Sequence, residues 1–409
     1  MDAFDHRILG SKLDLFHQRD EGPGTVFWHP RGMALLRVVE EYVRVRMRAA
    51  GFAEVRTPQL LARALWEQSG HWEKFGDQMF TLDGDDGRFC LKPMSCPGHV
   101  LIFKKGSRSY RDLPVRYAEF GAVHRAEPSG ALHGLMRARA FTQDDAHVLC
   151  APAQVEAEVV RFCALLASVY ADFGFDAFEV ALSTRPAQRA GDDASWDRAE
   201  AQLAAAARAA GLRFTLQPGE GAFYGPKLEF HLIDRRGRKW QCGTVQLDFV
   251  LPERLGATYV DEKGEKRVPV MIHHAVLGSL ERFIGILLEH YEGWLPAWLA
   301  PDQVVVASIG EAQRSFADQV AQAFESIGCR VARDFRAERL PRKIVDARAL
   351  AAPILAIAGS QEARDGTVAL RLRNGEQQVL PLDEALACVA RATRVPLRTA
   401  PRVGNDAAA

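Results

Sequence analysis

Three short segments concentrate side chains able to do chemistry. Cys90-Leu-Lys-Pro-Met-Ser-Cys96-Pro-Gly-His99 packs two thiols, an imidazole and an ammonium into ten residues. The spacing is not that of a CxxC knuckle, so a metal held here needs ligands from distant segments; the plain alternative is a pair of small buried thiols. Phe120-Gly-Ala-Val-His124-Arg125-Ala-Glu127-Pro-Ser-Gly130 sets a guanidinium and a carboxylate two residues apart. On a strand both would point to one face, where an anion and a base could be held together; otherwise they are a surface ion pair. Phe141-Thr-Gln143-Asp144-Asp145-Ala-His147 offers two carboxylates and an imidazole, and Met271-Ile272-His273-His274 two further imidazoles. Histidine is the commonest metal ligand, yet two isolated histidines do not make a site.

These segments need elements to carry them. Leu35, Leu36, Val39, Tyr42, Val43 and Met47 recur at helical spacing, which predicts a helix over 33–50 stopped by Gly51, then a strand over 52–56 kept extended by Pro58. Further helices are predicted over 152–173 and 194–210, closed by Gly174 and Gly211. Residues 227–233 and 239–249 flank Arg236-Gly237 and read as a hairpin. On its second strand Cys242, Thr244, Gln246 and Asp248 share one face. Such a polar face ordinarily meets solvent; the alternative is the wall of a wet pocket. Antiparallel strands interleaved with long helices predict an α+β domain to about Trp298.

Beyond Pro301 the pattern alternates as strand (304–307), helix (316–327), strand (329–333), helix (340–350) and strand (353–358). A hairpin about Asn374-Gly375 and a helix over 382–392 follow. This predicts a second, smaller α/β domain over 299–396 and a mobile tail over 397–409. Residues 330–348 carry seven basic and three acidic side chains, a local charge of +4. That is either a solvated helix face or a phosphate-contacting patch.

Composition bounds the function. Balanced totals of 52 basic and 52 acidic residues give no net charge, and no apolar run approaches the ~20 residues of a membrane span. Seven cysteines without framework spacing, and a start lacking a signal-peptide pattern, predict a reducing, cytoplasmic setting.

In order and spacing, the segments resemble the threonyl-tRNA synthetases, a family of class II aminoacyl-tRNA synthetases, from about Asp5 to Arg394. Val26-Phe-Trp-His-Pro30 through Thr57-Pro58 resembles motif 1, the family's dimer-forming element; His124–Glu127 with Phe141 resembles motif 2; Leu277-Gly-Ser-Leu-Glu-Arg282 resembles motif 3. Met94–His99 and Thr142–His147 are similar to segments characteristic of the threonyl branch.

The resemblance implies a class II catalytic domain over 1–298 (an antiparallel sheet flanked by helices, with 1–24 as a linker) and an anticodon-binding-type domain beyond. It implies a homodimer that joins L-threonine to ATP as threonyl-adenylate and passes threonine to the 3′ acceptor end of tRNA(Thr). Arg125 would hold the α-phosphate and substrate carboxylate, Glu127 the adenine amino group, and Phe141 with Arg282 the adenine ring, with Arg282 also reaching the γ-phosphate. Mg²⁺ would accompany ATP. Cys96, His147 and His273 match zinc ligands, one Zn²⁺ per subunit. Gln143, Asp145, Tyr224, Thr244 and Gln246 match threonine-pocket residues, and His71 a histidine of the transfer step.

Two departures stand out. Bacterial members carry two N-terminal modules, a TGS and an editing domain, and this chain begins where their linker would be, which predicts activation without editing in cis. Ala337, Pro341 and Val345 replace the usual Asn, Gly and Arg of the anticodon-reading part, which puts anticodon reading in question. The same residues leave two alternatives open: a threonine-activating paralogue serving a carrier protein or small molecule, and a non-catalytic regulatory paralogue.

Overall fold

The computed structural model describes residues 3–85 and 87–397, so the tail expected over 397–409 lies, beyond Leu397, outside the described residues. The described residues divide into two compact units. One is built from Asp20–Thr25 and Glu40–Ile286; the other gathers Met1–Arg19, Val26–Val39 and Leu287–Pro396.

The first unit is organised by one eight-stranded sheet. In chain order its strands are β1 (Ala53–Glu54), β2 (Val115–His124), β3 (Ala140–Cys150), β4 (Phe178–Ser183), β5 (Phe214–Gln217), β6 (Lys227–Ile233), β7 (Lys239–Asp248) and β8 (Val270–Ser279). They lie in the order β5-β4-β6-β7-β8-β3-β2-β1. All pairings are antiparallel except the two at the edges. The fold is therefore α+β with an antiparallel-rich sheet, as the sequence predicts.

The helices follow from local chemistry. Helix α1 (Pro30–Ala49) starts three residues earlier than apolar spacing alone indicates, because Pro30 presets φ at a first-turn position whose N–H needs no partner. Its six periodic apolar residues are all buried, and Gly51 leaves the helix at φ +85°. Helix α2 (Cys96–Phe103) carries Pro97 in its first turn. A 3-10 turn over Pro152–Gln154 takes up the predicted start of α3 (Val155–Asp172). Tyr42 and Arg46 both bond Asp172 of that helix, at 2.5 and 2.6 Å. Helix α4 (Asp193–Ala209) is capped by Asp192, which accepts from the Ser195 N–H. Helix α5 (Leu280–His290) begins immediately after β8.

The second unit contains β9 (Val304–Ser308), α6 (Arg314–Ser326), β10 (Val331–Asp334), α7 (Leu340–Ala349), β11 (Ile354–Ala358), β12 (Thr367–Leu372), β13 (Gln377–Pro381) and α8 (Leu382–Ala392). Its sheet runs β10-β9-β11-β12-β13, parallel across the first three strands and antiparallel thereafter. Strands β9 and β11 read as nearly continuous apolar runs because both faces are covered, by one cluster around Phe324 and another around Leu355, whereas the edge strand β10 carries Arg333 and Asp334. The predicted elements appear here with small shifts of their ends. Helices Ser360–Asp365 and His6–Lys12 do not emerge from periodicity: each spans fewer than two full turns of pattern. No helix among the described residues is long and apolar enough to cross a membrane.

Candidate active site

Cross-strand register builds the site in rows. Tyr117, His147, His273 and Gln246 are direct neighbours across β2, β3, β8 and β7. Two residues along, Glu119, Asp145, Ala275 and Thr244 form the next row. Because side chains alternate with period two, both rows face the same side. The polar face of β7 thus lines a pocket rather than meeting solvent.

One end of this face collects metal-ligand atoms. Cys96, at the start of α2, joins His147 and His273, with Sγ and one ring nitrogen of each histidine all within 4.8 Å of one another; all three residues are buried. The facing nitrogens are His147 Nε2 and His273 Nδ1, 3.0 Å apart. For singly protonated rings, their outer partners assign the tautomers. Asp248 Oδ2 only accepts, so His273 donates from Nε2 at 2.9 Å and leaves Nδ1 bare. Glu119 Oε2 likewise takes the Nε2–H of His99 at 3.1 Å. His99 Nδ1 then accepts from His147 Nδ1 at 2.8 Å, which leaves His147 Nε2 bare. In that assignment two lone pairs and a thiol converge. Burial pushes the Cys96 thiol above its ordinary range and holds His147 far below its own. A soft dication suits this donor set, two imidazoles and one thiolate with room for a further ligand, so the residues fit zinc.

Asp145 lies beside this group: Oδ2 accepts from the Ser95 N–H at 3.1 Å and Oδ1 stands 3.6 Å from His147 Nε2. Tyr224 stacks on His273 at 5.0 Å and donates to Gln246 Oε1 at 2.6 Å. Next to it opens a cavity of about 590 Å³, lined among others by Arg125, Glu127, Phe141, Gln143, Thr244, Gln246 and Arg282. Arg125 follows directly on β2 and lies over the Phe141 ring at 5.2 Å. Burial lowers its pKa, while Glu127 and Asp145 raise it. Glu127 is held by Arg137 at 2.9 Å. Gln143 Oε1 and Arg282 Nε are buried without a partner, an arrangement that costs about 1–3 kcal/mol per group until a ligand supplies one.

Arg282 owes its place to a bulge. Between Ala275 and Ser279 the β8–β3 register shifts, so that Ser279 faces Gln143. Asp144, on the opposite face of β3, accepts from the N–H groups of Val276, Leu277 and Gly278 at 2.9, 2.9 and 2.7 Å. Gly278 has φ +79°, and a Cβ there would stand 3.1 Å from the Cys242 carbonyl oxygen. Glu281 accepts from the Thr142 N–H at 2.9 Å; burial raises its pKa to about 7.

The structure thus brings all thirteen site residues named from sequence to the donor cluster or the adjoining cavity. His71 lies outside the cavity lining, against the thiol of the donor cluster. It is buried, bonds Ser69 Oγ through Nδ1 at 2.8 Å, and turns Nε2 toward Cys96 Sγ at 3.7 Å. Burial lowers its pKa to about 4. Sequence reasoning missed Glu119, Asp248 and Asp144 as organising groups, and left His99 without a role. The available signal was a lone acid flanked by apolar and small residues, as Glu119 is within Tyr117–Val123 of β2.

The basic stretch 330–348 has another character. Arg330 donates to the carbonyls of Trp298 and Ala300, Arg333 pairs with Asp318 and Glu325, and Arg336 with Asp334 and Asp346. Arg342 pairs with Asp346 at 3.0 Å. Lys343 is buried, with Nζ bonded to the carbonyls of Ser308 and Asp334 at 2.8 and 3.0 Å. Ala337, Pro341 and Val345 are exposed.

Comparison with known proteins adds a lineage to this geometry. Residues 80–291 match the family model of the tRNA synthetase class II core domain (G, H, P, S and T), and residues 303–391 that of an anticodon binding domain. A threonine–tRNA ligase of Caulobacter vibrioides is 58% identical over 384 residues, covering 93% of this chain and 59% of the relative. The chain therefore spans about three fifths of the length of the curated relatives it matches. Among solved structures, the RNA binding domain of threonyl-tRNA synthetase from Cryptosporidium parvum superposes with a TM-score of 0.93 at 41% identity, covering 96% of this chain and 99% of that one. A structure described as a threonyl-tRNA synthetase of Aeropyrum pernix gives 0.81 at 28% identity, with 97% and 98% covered.

Proposed function

Because the chain belongs to the threonyl-tRNA synthetase family of class II enzymes, we propose that it activates L-threonine with ATP and transfers it to the 3′ end of tRNA(Thr). The observation that carries this reading is the donor set of Cys96, His147 and His273 at one end of a face whose other end holds Arg125 and Arg282. An amino acid and a nucleoside triphosphate need those two kinds of end, side by side.

Arg125 would bind the α-phosphate and the amino-acid carboxylate, where a planar guanidinium neutralises charge that grows as the carboxylate attacks phosphorus. Phe141 and Arg282 would sandwich the adenine ring, and the unpartnered Nε of Arg282 is a donor awaiting an acceptor. Glu127 would exchange part of its bond to Arg137 for the adenine amino group. Mg²⁺ would accompany the triphosphate. Asp145 would accept a hydrogen bond from the N–H of the neutral amino group, with Gln143, Tyr224, Thr244 and Gln246 shaping a small polar pocket around the side chain. Zinc held by Cys96, His147 and His273 would supply a Lewis-acid position for the amino and hydroxyl groups of threonine. That answers a selection problem, since an apolar pocket separates isosteres differing by one hydroxyl only about 100-fold. His71 is assigned to the transfer step. The same reading makes 1–298 the catalytic part, 299–396 an anticodon-binding-type part, and the α1 region the contact between two copies.

Threonine-dependent ATP–pyrophosphate exchange in the presence of Zn²⁺ and Mg²⁺ tests the proposal. Exchange is expected with threonine, not with valine, and is expected to vanish in Cys96→Ala. Absence of exchange in the metal-loaded wild type sinks the activation step. Exchange without charging of tRNA(Thr) transcripts sinks the tRNA step alone and favours a different acceptor.

A further inference from the structure

Behind the metal-ligand atoms runs a buried chain of polar groups that ligation does not require. His147 bonds His99, His99 bonds Glu119, and Glu119 Oε1 accepts from Lys92 Nζ at 2.7 Å and from the Thr57 N–H at 3.0 Å. Thr57 Oγ1 donates to Glu119 Oε2 at 2.8 Å. Lys92, His99, Glu119 and His147 are each buried to within 3% exposure, so water is not an alternative partner for any of them. Burial by itself would raise the Glu119 pKa, but its donors outweigh this and hold it at about 2, so it stays a pure acceptor.

We propose that Glu119 is a positioning residue that acts through His99 to set which nitrogen of His147 faces the metal. The proposal rests on the zinc reading given above. The argument is directional. A carboxylate anchored by a lysine can only accept, so His99 must carry its proton on Nε2. Its bare Nδ1 then requires the proton of His147 on Nδ1, and Nε2 of His147 is delivered as a lone pair. The neighbouring ligand His273 is set in the same manner by Asp248, but in a single step. The longer chain also ties the segment containing Thr57 and Pro58 to the metal ligand, since Thr57 donates twice to the same carboxylate.

Glu119→Gln tests the direction of the chain. Lys92 and the Thr57 N–H both donate to Oε1, so the amide oxygen must take that place. The amide nitrogen then donates toward His99 Nε2, which reverses every proton in the chain and places one on His147 Nε2. His99→Phe cuts the chain while leaving the Lys92–Glu119 pair in place.

The experiment loads the wild-type 409-residue chain, Glu119→Gln, His99→Phe and the double variant with Zn²⁺ or Co²⁺. Affinity is read by competition with a chromophoric chelator, and geometry by the visible bands of the Co²⁺ form. Wild type is expected to take one zinc per chain, each single variant to bind 10–100-fold more weakly with shifted Co²⁺ bands, and the double variant no more weakly than the weaker single. A merely structural role predicts lower thermal stability with unchanged zinc affinity and unchanged Co²⁺ bands, and that result overturns the proposal; so does strict additivity in the double variant. If Glu119→Gln does not fold, His99→Phe decides alone. A wild type that takes up no zinc overturns the metal reading itself, and this inference with it. A wild type that loads while the variants match it overturns this inference only.

Discussion

Charge is handled in opposite ways in two regions of this chain. Around Lys92, Glu119, His99 and His147 charged and polar groups are buried, each with a fixed partner and a fixed direction of donation. Over 330–348 the charges are mostly exposed, and Arg333, Arg336 and Arg342 pair with acids of α6, β10 and α7. A count over sequence sees +4 in the second region and a near-neutral cluster in the first, yet the first is where electrostatics has leverage. In a low-dielectric interior one misplaced proton changes the arrangement; on a wet surface an ion pair contributes little and salt screens it.

That contrast can be broken or sharpened by experiment, beginning with the largest effect. Lys92→Met should leave Glu119 buried beside an apolar side chain and cost about 3–5 kcal/mol in urea unfolding, with Lys92→Met/Glu119→Gln recovering part of it. A cost below about 1 kcal/mol would erase the difference between the regions. Arg125→Lys should lower threonine-dependent pyrophosphate exchange about 10²–10³-fold, because an ammonium cannot fork across two oxygens. Acid titration follows. The Glu119 pKa is held at about 2, below the ordinary value of 4.5, so its contribution is fully present above that ordinary value and drains away as pH falls toward 2. Lys92, His99 and Asp145 are the ionisable groups around it. Stability measured from pH 5 to 2 should fall by up to about 3 kcal/mol more in wild type than in Lys92→Met/Glu119→Gln.

The remaining two predictions probe the C-terminal unit. Lys343→Met removes a buried ammonium from two carbonyls and should cost about 1–3 kcal/mol, although Lys343 belongs to the surface stretch by sequence. Arg336→Ala, the removal of an exposed pair, should shift stability by less than about 1 kcal/mol, an effect that shrinks further in 0.5 M salt. Equal costs for these two would mean that burial is not what separates them.

Legibility in the sequence followed the same division. Period and punctuation were enough for the C-terminal unit, where strands buried on both faces alternate with amphipathic helices and α8 falls over its predicted span. In the larger unit Arg236-Gly237 marked the β6–β7 hairpin, and parity put Thr244 and Gln246 on one face. Parity could not say that the face was a pocket, because that depends on which strands flank β7, and its neighbour β8 arrives some twenty residues later in the chain. Cys96, His147 and His273 were grouped by resemblance, since no local spacing links residues on a helix and two strands. Glu119 stayed hidden for a physical reason: the lone acid of its strand gains meaning only when Lys92, Thr57 and His99 arrive from other elements.

The bulge between Ala275 and Ser279 has a bearing on how such a site can change over time. On one side of it, His273 and Ala275 inherit their facing from sheet register; on the other, Arg282 inherits its facing from the first turn of a helix. Insertion or loss of a residue within the three amides gathered by Asp144 would rotate the arginine away while both histidines kept their row. The two ends of the face are thus heritable as separate modules, joined at one short hinge of backbone. A lineage could remodel its small-substrate end without disturbing its triphosphate end, or the reverse.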